Sequence, residues 1–225
     1  MTRQLAFDLP ATEAFSATDF HPSPANAAAL AALTDWHNWP GGKMLIVGPW
    51  GAGKTHLAHI WAAMTGAERI NGTDLAGTNL SELARFGAVC VDNAHLVAGD
   101  PALETALFHL HNLVLPHGRM LLTATTAPRD WGLGLPDLLS RMQSAALTRL
   151  EAPDDALLAA VLAKLFADRQ IIPPPNLIPY LTPRMFRSIA AARDLVAALD
   201  ARALAQGRPV TRALAAELLD PGATT

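Results

Sequence analysis

The chain has 225 residues, of which 51% are hydrophobic and 16% are charged, and its formal net charge at pH 7 is −3. A globular chain of this length can bury a substantial core and has room for an α/β domain and a smaller second domain. The acidic balance argues against strong unassisted binding to duplex DNA, which usually requires a basic surface. We recognise no apolar run long enough to cross a bilayer and no export signal, so we expect a cytoplasmic protein without a membrane partner.

The first twenty residues have the character of a tail. The chain opens MTRQLAFDLP, and residues 11–24 mix small, turn-forming and Pro residues. Chain termini are usually poorly ordered unless something covers them. The apolar side chains of Leu5, Phe7 and Leu9 are therefore either packed on the chain's own fold or bound by a partner.

Residues 21–150 alternate short runs typical of strands, most of them apolar, with helical patterns. The runs are KMLIVG, ERIN, AVCVD, RMLLTAT and AALTRL, and the segments between them have helical spacing. This alternation predicts an α/β domain with a parallel sheet covered on both faces. Cys90, in the run AVCV, is expected to be buried and unreactive.

The pattern changes after Pro153, because residues 151–225 contain helical segments and Pro-rich breaks without a strand signal. We predict a small all-helical domain here.

The strongest motif is GPWGAGKT, which fits the phosphate-binding pattern GxxxxGK[ST] and has a strand before it and a helix after it. Glycines let backbone N–H groups face phosphates, Lys54 reaches the β and γ phosphates, and the Thr55 hydroxyl binds Mg²⁺. A plain Gly-rich turn would not need this context. The residues expected to bind the nucleotide are Gly48, Pro49, Trp50, Gly51, Ala52, Gly53, Lys54, Thr55 and His56.

The second chemical motif is AVCVDNAH, in which a strand ends at Asp92. A carboxylate at this position holds the Mg²⁺ shell in P-loop NTPases, and we expect Asp92 to do so through water. Asn93 follows, and its amide cannot accept a proton as a carboxylate does, so we expect weak hydrolysis by the chain itself. The histidines, among them His56, His59, His109 and His111, form no HExxH pair or Cys cluster, which favours ordinary surface or core roles.

Three further positions have two interpretations each. Thr125, in LLTATTAP with Thr123 and Thr126, could sense a γ-phosphate, but Thr is also common in strands. Arg141 sits on a short helix, and Arg187 starts a helix of the second domain; such arginines are usually solvated or paired. Arginine can also stabilise phosphate charge, within a chain or across an interface.

The order of GPWGAGKTH, AVCVDNAH, LLTATTAPRDWGLGLPDLLSRM and a helical lid resembles the AAA+ module of the bacterial replication initiator DnaA over roughly residues 20–220. It resembles more closely the Hda family of DnaA-related regulators, which lack the initiator's helix-turn-helix domain. The segment VDN, in place of an acidic pair, and the segment GLGLPDLLSR carry this closer likeness.

The resemblance implies an AAA+ P-loop NTPase domain followed by a helical lid. Lys54, Thr55 and Asp92 would hold ADP (or ATP) and Mg²⁺, and Arg187 would contact the nucleotide phosphates from the lid. Arg141 would act in trans as an arginine finger on ATP bound to DnaA. The stretch QLAFDL resembles the peptides that bind the β sliding clamp of DNA polymerase III, with Gln4, Leu5, Phe7 and Leu9 as contacts.

A protein of this kind would be a negative regulator of replication initiation, reaching DNA indirectly through the clamp and able to form homo-oligomers. Two alternatives remain open. One is an autonomous AAA+ ATPase that loads or remodels a helicase on DNA. The other is a small-molecule P-loop kinase, for which Arg184, Arg187 and Arg193 could form a lid but no acceptor base is evident.

Overall fold

The structure is a computed structural model and describes residues 23–219. In chain order it contains the strands β1 Lys43–Val47, β2 Glu68–Asn71, β3 Ala88–Asp92, β4 Arg119–Ala124 and β5 Ala146–Arg149. The helices are α1 Ala27–Thr34, α2 Lys54–Thr65, α3 Leu80–Ala84, α4 Pro101–Val114, α5 Pro136–Gln143, α6 Asp155–Asp168, α7 Leu177–Leu181, α8 Ile189–Gln206 and α9 Arg212–Leu219.

The strands form one sheet in the order β2-β3-β4-β1-β5. Every neighbouring pair is parallel, so the carboxyl ends of all five strands lie at the same edge. The α/β fold with a parallel sheet is therefore confirmed. Because β1 lies between β4 and β5, the loop that follows it emerges beside the end of β4, and β3 is the next strand along.

Helices cover both faces of the sheet. Strand alternation sends Leu45 and Val47 into one apolar cluster with α4 and α5, and Met44 and Ile46 into a second cluster with α1 and α2. Cys90 is fully buried in the second cluster, as expected. Burial raises the pKa of its thiol, which keeps the sulfur protonated and poorly nucleophilic.

A third apolar cluster is built from the helices after residue 154. Leu158, Leu162 and Phe166 of α6 pack against α7, α8 and α9 and are fully buried. None of the helices in residues 23–219 is long and apolar enough to span a membrane.

The longest lid helix starts later than the sequence pattern suggested. Ser188 is the N-cap of α8 and its hydroxyl accepts a hydrogen bond from the backbone N–H of Ala191 at 3.2 Å. Arg187 therefore precedes the helix, and the expectation that it starts this helix is wrong. The helix begins after Ser188 because a serine in extended conformation satisfies an N–H group that the first helical turn leaves unpaired.

Candidate functional site

The loop between β1 and α2 places a buried lysine at the carboxyl edge of the sheet. Gly53 has φ +106°, a value suited to glycine, and α2 begins at the next residue. The side chain of Lys54 turns back under the loop, and its Nζ donates to the carbonyls of Gly48 at 2.8 Å and Pro49 at 2.9 Å. Burial lowers the pKa of Lys54, and the nearby Asp92 carboxylate opposes that shift. The loop thus holds a desolvated cation at its centre.

Asp92, at the end of β3, faces this loop and is held by two hydroxyl groups. Thr55 Oγ1 donates to Asp92 Oδ2 at 2.8 Å, and Thr123 Oγ1 makes a short hydrogen bond to Asp92 Oδ1. Thr123 in turn accepts the backbone N–H of Asn93 at 2.9 Å. The structure therefore brings Thr55 and Asp92 together, and Thr123 contacts the carboxylate directly.

Thr125 follows the end of β4 and is half-buried. Its proposed sensing role remains a prediction. Thr123 and Thr125 lie two residues apart near the end of β4, and the sequence alone does not show which of the two hydroxyls faces Asp92. The hydroxyl that shares the face of Asp92 is that of Thr123.

An arginine and a histidine missed by sequence reasoning extend the network. Arg69 of β2 has Nη2 at 4.0 Å from Asp92 Oδ2, and its Nη1 lies 2.9 Å from Nδ1 of His59 on α2. Because a guanidinium can only donate, His59 Nδ1 accepts and carries no proton. Burial and then Arg69 lower the pKa of His59, which keeps the ring neutral. A permanent positive charge thus lies beside the strand-end carboxylate.

These residues fit a phosphate group and a divalent cation. The Lys54 ammonium is inside the loop whose glycines allow close backbone approach, and α2 points its N-terminus at the same place. The Thr55 hydroxyl and the Asp92 carboxylate are hard oxygen donors, of the kind that Mg²⁺ uses. Among residues 23–219 no cluster of three or more His, Cys, Asp or Glu side chains forms a separate metal site.

The lid touches the phosphate-binding loop through the start of α8. The backbone N–H of Ile189 donates to the carbonyl of Gly51 at 2.8 Å. A Cβ atom at Gly51 would lie 1.8 Å from Ser188 Oγ, so no other residue fits there without movement. Trp50, the next residue back in the loop, is 67% exposed. The loop and the lid are therefore in backbone contact, with an aromatic ring left at the rim.

Arg187 points to the first lid helix. Its Nη2 lies 2.5 Å from Asp155 Oδ1, and its Nη1 donates to the carbonyl of Pro153 at 3.4 Å. Half of its side chain is exposed. The predicted contact between Arg187 and nucleotide phosphates would require this ion pair to break. His56 lies in the first turn of α2, next to the loop, as the motif predicted.

Arg141 lies near the start of β1, whereas the phosphate-binding loop follows the end of that strand. The Arg141 carbonyl accepts a hydrogen bond from Nζ of Lys43 at 2.7 Å, and Lys43 is the first residue of β1. Strand β1 spans about 13 Å, and the phosphate-binding loop follows its last residue. The guanidinium of Arg141 packs over the ring of Phe108 at 4.9 Å. It is therefore remote from the chain's own Lys54.

The remaining candidate residues, Gln4, Leu5, Phe7 and Leu9, lie outside the part of the chain that the structure describes.

A parallel sheet in this order, with a phosphate-binding loop after β1, a carboxylate after β3 and a helical lid, is the fold of AAA+ P-loop NTPases. No family model matches the chain. Domain III of the replication initiation protein DnaA from Thermotoga maritima superposes with a TM-score of 0.78 at 19% identity, covering 96% of this chain and 100% of that one. The chain has the fold of that AAA+ domain.

Two ligand-bound initiators are also similar. DnaA bound to AMPPCP and single-stranded DNA gives a TM-score of 0.67 at 16% identity, over 86% of this chain and 68% of that one. AMPPCP-bound DnaA from Aquifex aeolicus gives 0.66 at 16% identity, over 81% and 64%. At these identities the comparison establishes the shared fold.

Proposed function

We propose that the chain is a nucleotide-binding regulator of replication initiation, which stimulates hydrolysis of ATP bound to the initiator DnaA. The observation that carries this proposal is the separation of two candidate sites on one domain. A phosphate-binding loop lies at one edge of the sheet, and Arg141, which has no acidic partner among residues 23–219, lies at the opposite edge.

The loop would hold ADP or ATP with Mg²⁺. Lys54 is already desolvated and would exchange its two carbonyl partners for phosphate oxygens, a stronger charge-assisted contact. Thr55 and Asp92 would hold the metal and its water shell. DnaA structures of the same fold are bound to AMPPCP, which supports nucleotide binding by this chain.

Asn93 favours a bound nucleotide that persists over one that turns over. The residue has φ +53° and is the N-cap of the short helix Ala94–Val97 that follows β3, and its side chain is an amide. An amide can orient water but cannot take a proton from it as a carboxylate does. We therefore assign ADP as the resting ligand and expect the isolated chain to hydrolyse ATP slowly.

Arg141 would act on the partner's nucleotide. When water attacks the γ-phosphorus of ATP on DnaA, the bond to the bridging oxygen breaks and ADP and inorganic phosphate are released. A guanidinium supplied across the interface offsets the charge that develops on the transferred group and can raise the rate by orders of magnitude.

The N-terminal peptide with Gln4, Leu5, Phe7 and Leu9 would attach the chain to the β sliding clamp on DNA, as an extended segment with alternating apolar anchors.

The second candidate function is an autonomous AAA+ ATPase that loads or remodels proteins on DNA. One observation favours it: Thr55 and Thr123 donate hydrogen bonds to Asp92 and Lys54 lies near its carboxylate, an arrangement suited to a phosphate group and a metal ion. Steady turnover of ATP by the isolated chain with single-stranded DNA would select this alternative.

The test is hydrolysis of DnaA-bound ATP in the presence of clamp-loaded DNA and ADP. The intact chain is compared with a variant carrying Gln4→Ala, Leu5→Ala and Phe7→Ala. We expect stimulation by the intact chain and its loss in the variant. Absence of stimulation by the folded, ADP-bound chain would overturn the regulator, and equal stimulation by both proteins would overturn the role of the tail.

A further inference from the structure

Helix α5, which carries Arg141, rests on a stripe of helix α4. The stripe consists of Glu104, Phe108 and His111, spaced i, i+4 and i+7 and therefore on one face of α4. Glu104 accepts a hydrogen bond from the residue before α5, and the Phe108 ring lies under the Arg141 guanidinium. His111 contacts Lys43, which binds the last turn of α5. Together with Lys43 of β1, these residues form what we call the α5 cradle.

Glu104 holds the start of α5. It is 4% exposed, and its Oε2 accepts the backbone N–H of Leu135, the N-cap residue of α5, at 2.8 Å. Its Oε1 accepts the N–H groups of Gly134 at 3.1 Å and Gly99 at 3.2 Å. A buried carboxylate with three donors is well compensated, and its negative charge matches the positive end of the α5 dipole.

Lys43 holds the other end of α5. It is 6% exposed, and its Nζ donates to the carbonyl of Arg141 at 2.7 Å and contacts Nε2 of His111 at 3.0 Å. This carbonyl belongs to the last turn of α5, where a cation complements the helix dipole. Among residues 23–219 no carboxylate forms an ion pair with Lys43. Burying a lysine without a carboxylate is costly, and an apolar residue would serve β1 equally well.

The side chain of Arg141 is ordered by an aromatic ring and left without an anion. Its guanidinium carbon lies 4.9 Å from the centroid of the Phe108 ring, and the residue is half-buried. Within residues 23–219 other arginines form ion pairs with carboxylates, among them Arg69, Arg129, Arg169, Arg187, Arg202 and Arg208. Stacking on Phe108 restricts the guanidinium without neutralising it, which leaves its charge available to an external anion.

We propose that Glu104 and Lys43 are positioning residues, which fix both ends of α5 so that Arg141 is presented rigidly on Phe108 to a phosphate of a nucleotide bound by the partner. This inference rests on the proposed function and deepens it, because it assigns the buried charges of the α5 cradle to the trans reaction. A flexible arginine would lose conformational freedom in every encounter, whereas a preorganised one has lost it on folding.

The kinetic test uses Glu104→Gln and Lys43→Met, with Val89→Ala as the control. Val89 is fully buried in β3 of the same apolar cluster and makes none of the hydrogen bonds of α5. Stimulated hydrolysis of DnaA-bound ATP is measured against the concentration of each folded variant. We expect Glu104→Gln and Lys43→Met to lower the maximal rate about tenfold or more and to leave the half-saturating concentration within about twofold, because misplacement by about 1 Å costs that much.

A maximal rate equal to that of the intact chain in both variants would overturn the proposal. An equal loss in Val89→Ala would also overturn it, because the effect would then follow stability alone.

A second measurement needs no partner. The Arg141 Nε–H signal in ¹⁵N spectra of the full chain is assigned by its loss in Arg141→Lys. We expect Glu104→Gln and Lys43→Met to increase the mobility of this group and to reduce its ring-current shift, and Val89→Ala to leave both unchanged. If both cradle variants leave the signal unchanged, the positioning role is refuted. Failure of the intact chain to stimulate DnaA would refute the proposed function, and the two failures are thereby separated.

Discussion

The contact between the phosphate-binding loop and the lid gives a prediction with a close internal control. Gly51 has φ +73°, and a Cβ atom there would lie 1.8 Å from Ser188 Oγ and 2.7 Å from Ser188 Cβ. Gly66, at the end of α2, has φ +71° and nothing within 4 Å of its Cβ position. The Gly51→Ala and Gly66→Ala variants therefore carry the same backbone strain, and only Gly51→Ala adds a collision.

The left-handed conformation costs an alanine about 1–2 kcal/mol, partly offset by the reduced entropy of the unfolded chain, so Gly66→Ala should cost about 1 kcal/mol. In Gly51→Ala, Ser188 must also move. That movement removes its cap on α8 and the bond from the Ile189 N–H to the Gly51 carbonyl, each worth about 1 kcal/mol. We predict a total loss of about 3 kcal/mol for Gly51→Ala.

Equilibrium unfolding in urea measures these differences. Adding Ser188→Gly to Gly51→Ala removes both colliding atoms and keeps a tolerable N-cap, so the double variant should return to a cost of about 1 kcal/mol. If Gly51→Ala costs no more than Gly66→Ala, the packing of the lid on the loop does not contribute to stability and the reasoning is wrong.

Three further predictions follow from the charged and hydroxyl groups of the site and of the α5 cradle. Arg69→Gln should weaken ADP binding about tenfold in EDTA and much less with Mg²⁺, because the metal replaces the lost positive charge. Calorimetry measures both ADP affinities, with Arg85→Gln at an exposed position as the control. Equal losses of affinity in EDTA and in Mg²⁺ would contradict this prediction. Thr123→Val should lower the free energy of unfolding by about 2 kcal/mol, since it removes a hydrogen-bond partner from the Asn93 N–H and from the buried Asp92 carboxylate. In the same urea unfolding experiment Thr125→Val should change the free energy of unfolding by less than about 0.5 kcal/mol. Equal effects of the two substitutions would contradict the assignment of Thr123 as the hydroxyl that holds Asp92. Burial and the adjacent lysine lower the pKa of His111 from the ordinary 6.5 to about 4. As the pH falls, the unfolded chain therefore takes up a proton first, and the free energy of unfolding falls by about 3 kcal/mol between pH 6.5 and 4. His111→Gln should remove this pH dependence from urea unfolding measured across the same range, and an unchanged dependence would refute the cause.

The sheet and the phosphate-binding loop could be predicted because their signals are local. A strand such as Lys43–Val47, with four consecutive apolar residues after the lysine, is recognisable by composition, and GPWGAGKT specifies its own geometry through the positions of its glycines. The start of α8 was also signalled locally, by Ser188 as a capping residue, although the helical pattern of the preceding residues suggested an earlier start.

The α5 cradle could not be predicted, because its contacts join segments far apart in the chain. Lys43 meets a carbonyl 98 residues away, and Glu104 meets N–H groups about 30 residues away. In the sequence, Lys43 looks like an ordinary charged residue at the start of a strand, and Glu104 like a solvent-facing residue of an amphipathic helix. Only the strand order, which brings β1 beside the end of α5, reveals their partners. Arg69 was missed for the same reason, since its partner Asp92 lies on the neighbouring strand.

The proposed function requires that this chain acts on ATP bound by DnaA and not on a nucleotide that it binds itself. The most direct test is the rate of hydrolysis of DnaA-bound ATP, with clamp-loaded DNA and ADP present, for the intact chain and for Arg141→Ala, after calorimetry has established the ADP affinity of each. We expect strong stimulation by the intact chain and none by Arg141→Ala, with ADP affinities equal within about twofold because Arg141 is at the opposite edge of the sheet from Lys54. Stimulation by Arg141→Ala at the rate of the intact chain would contradict this expectation.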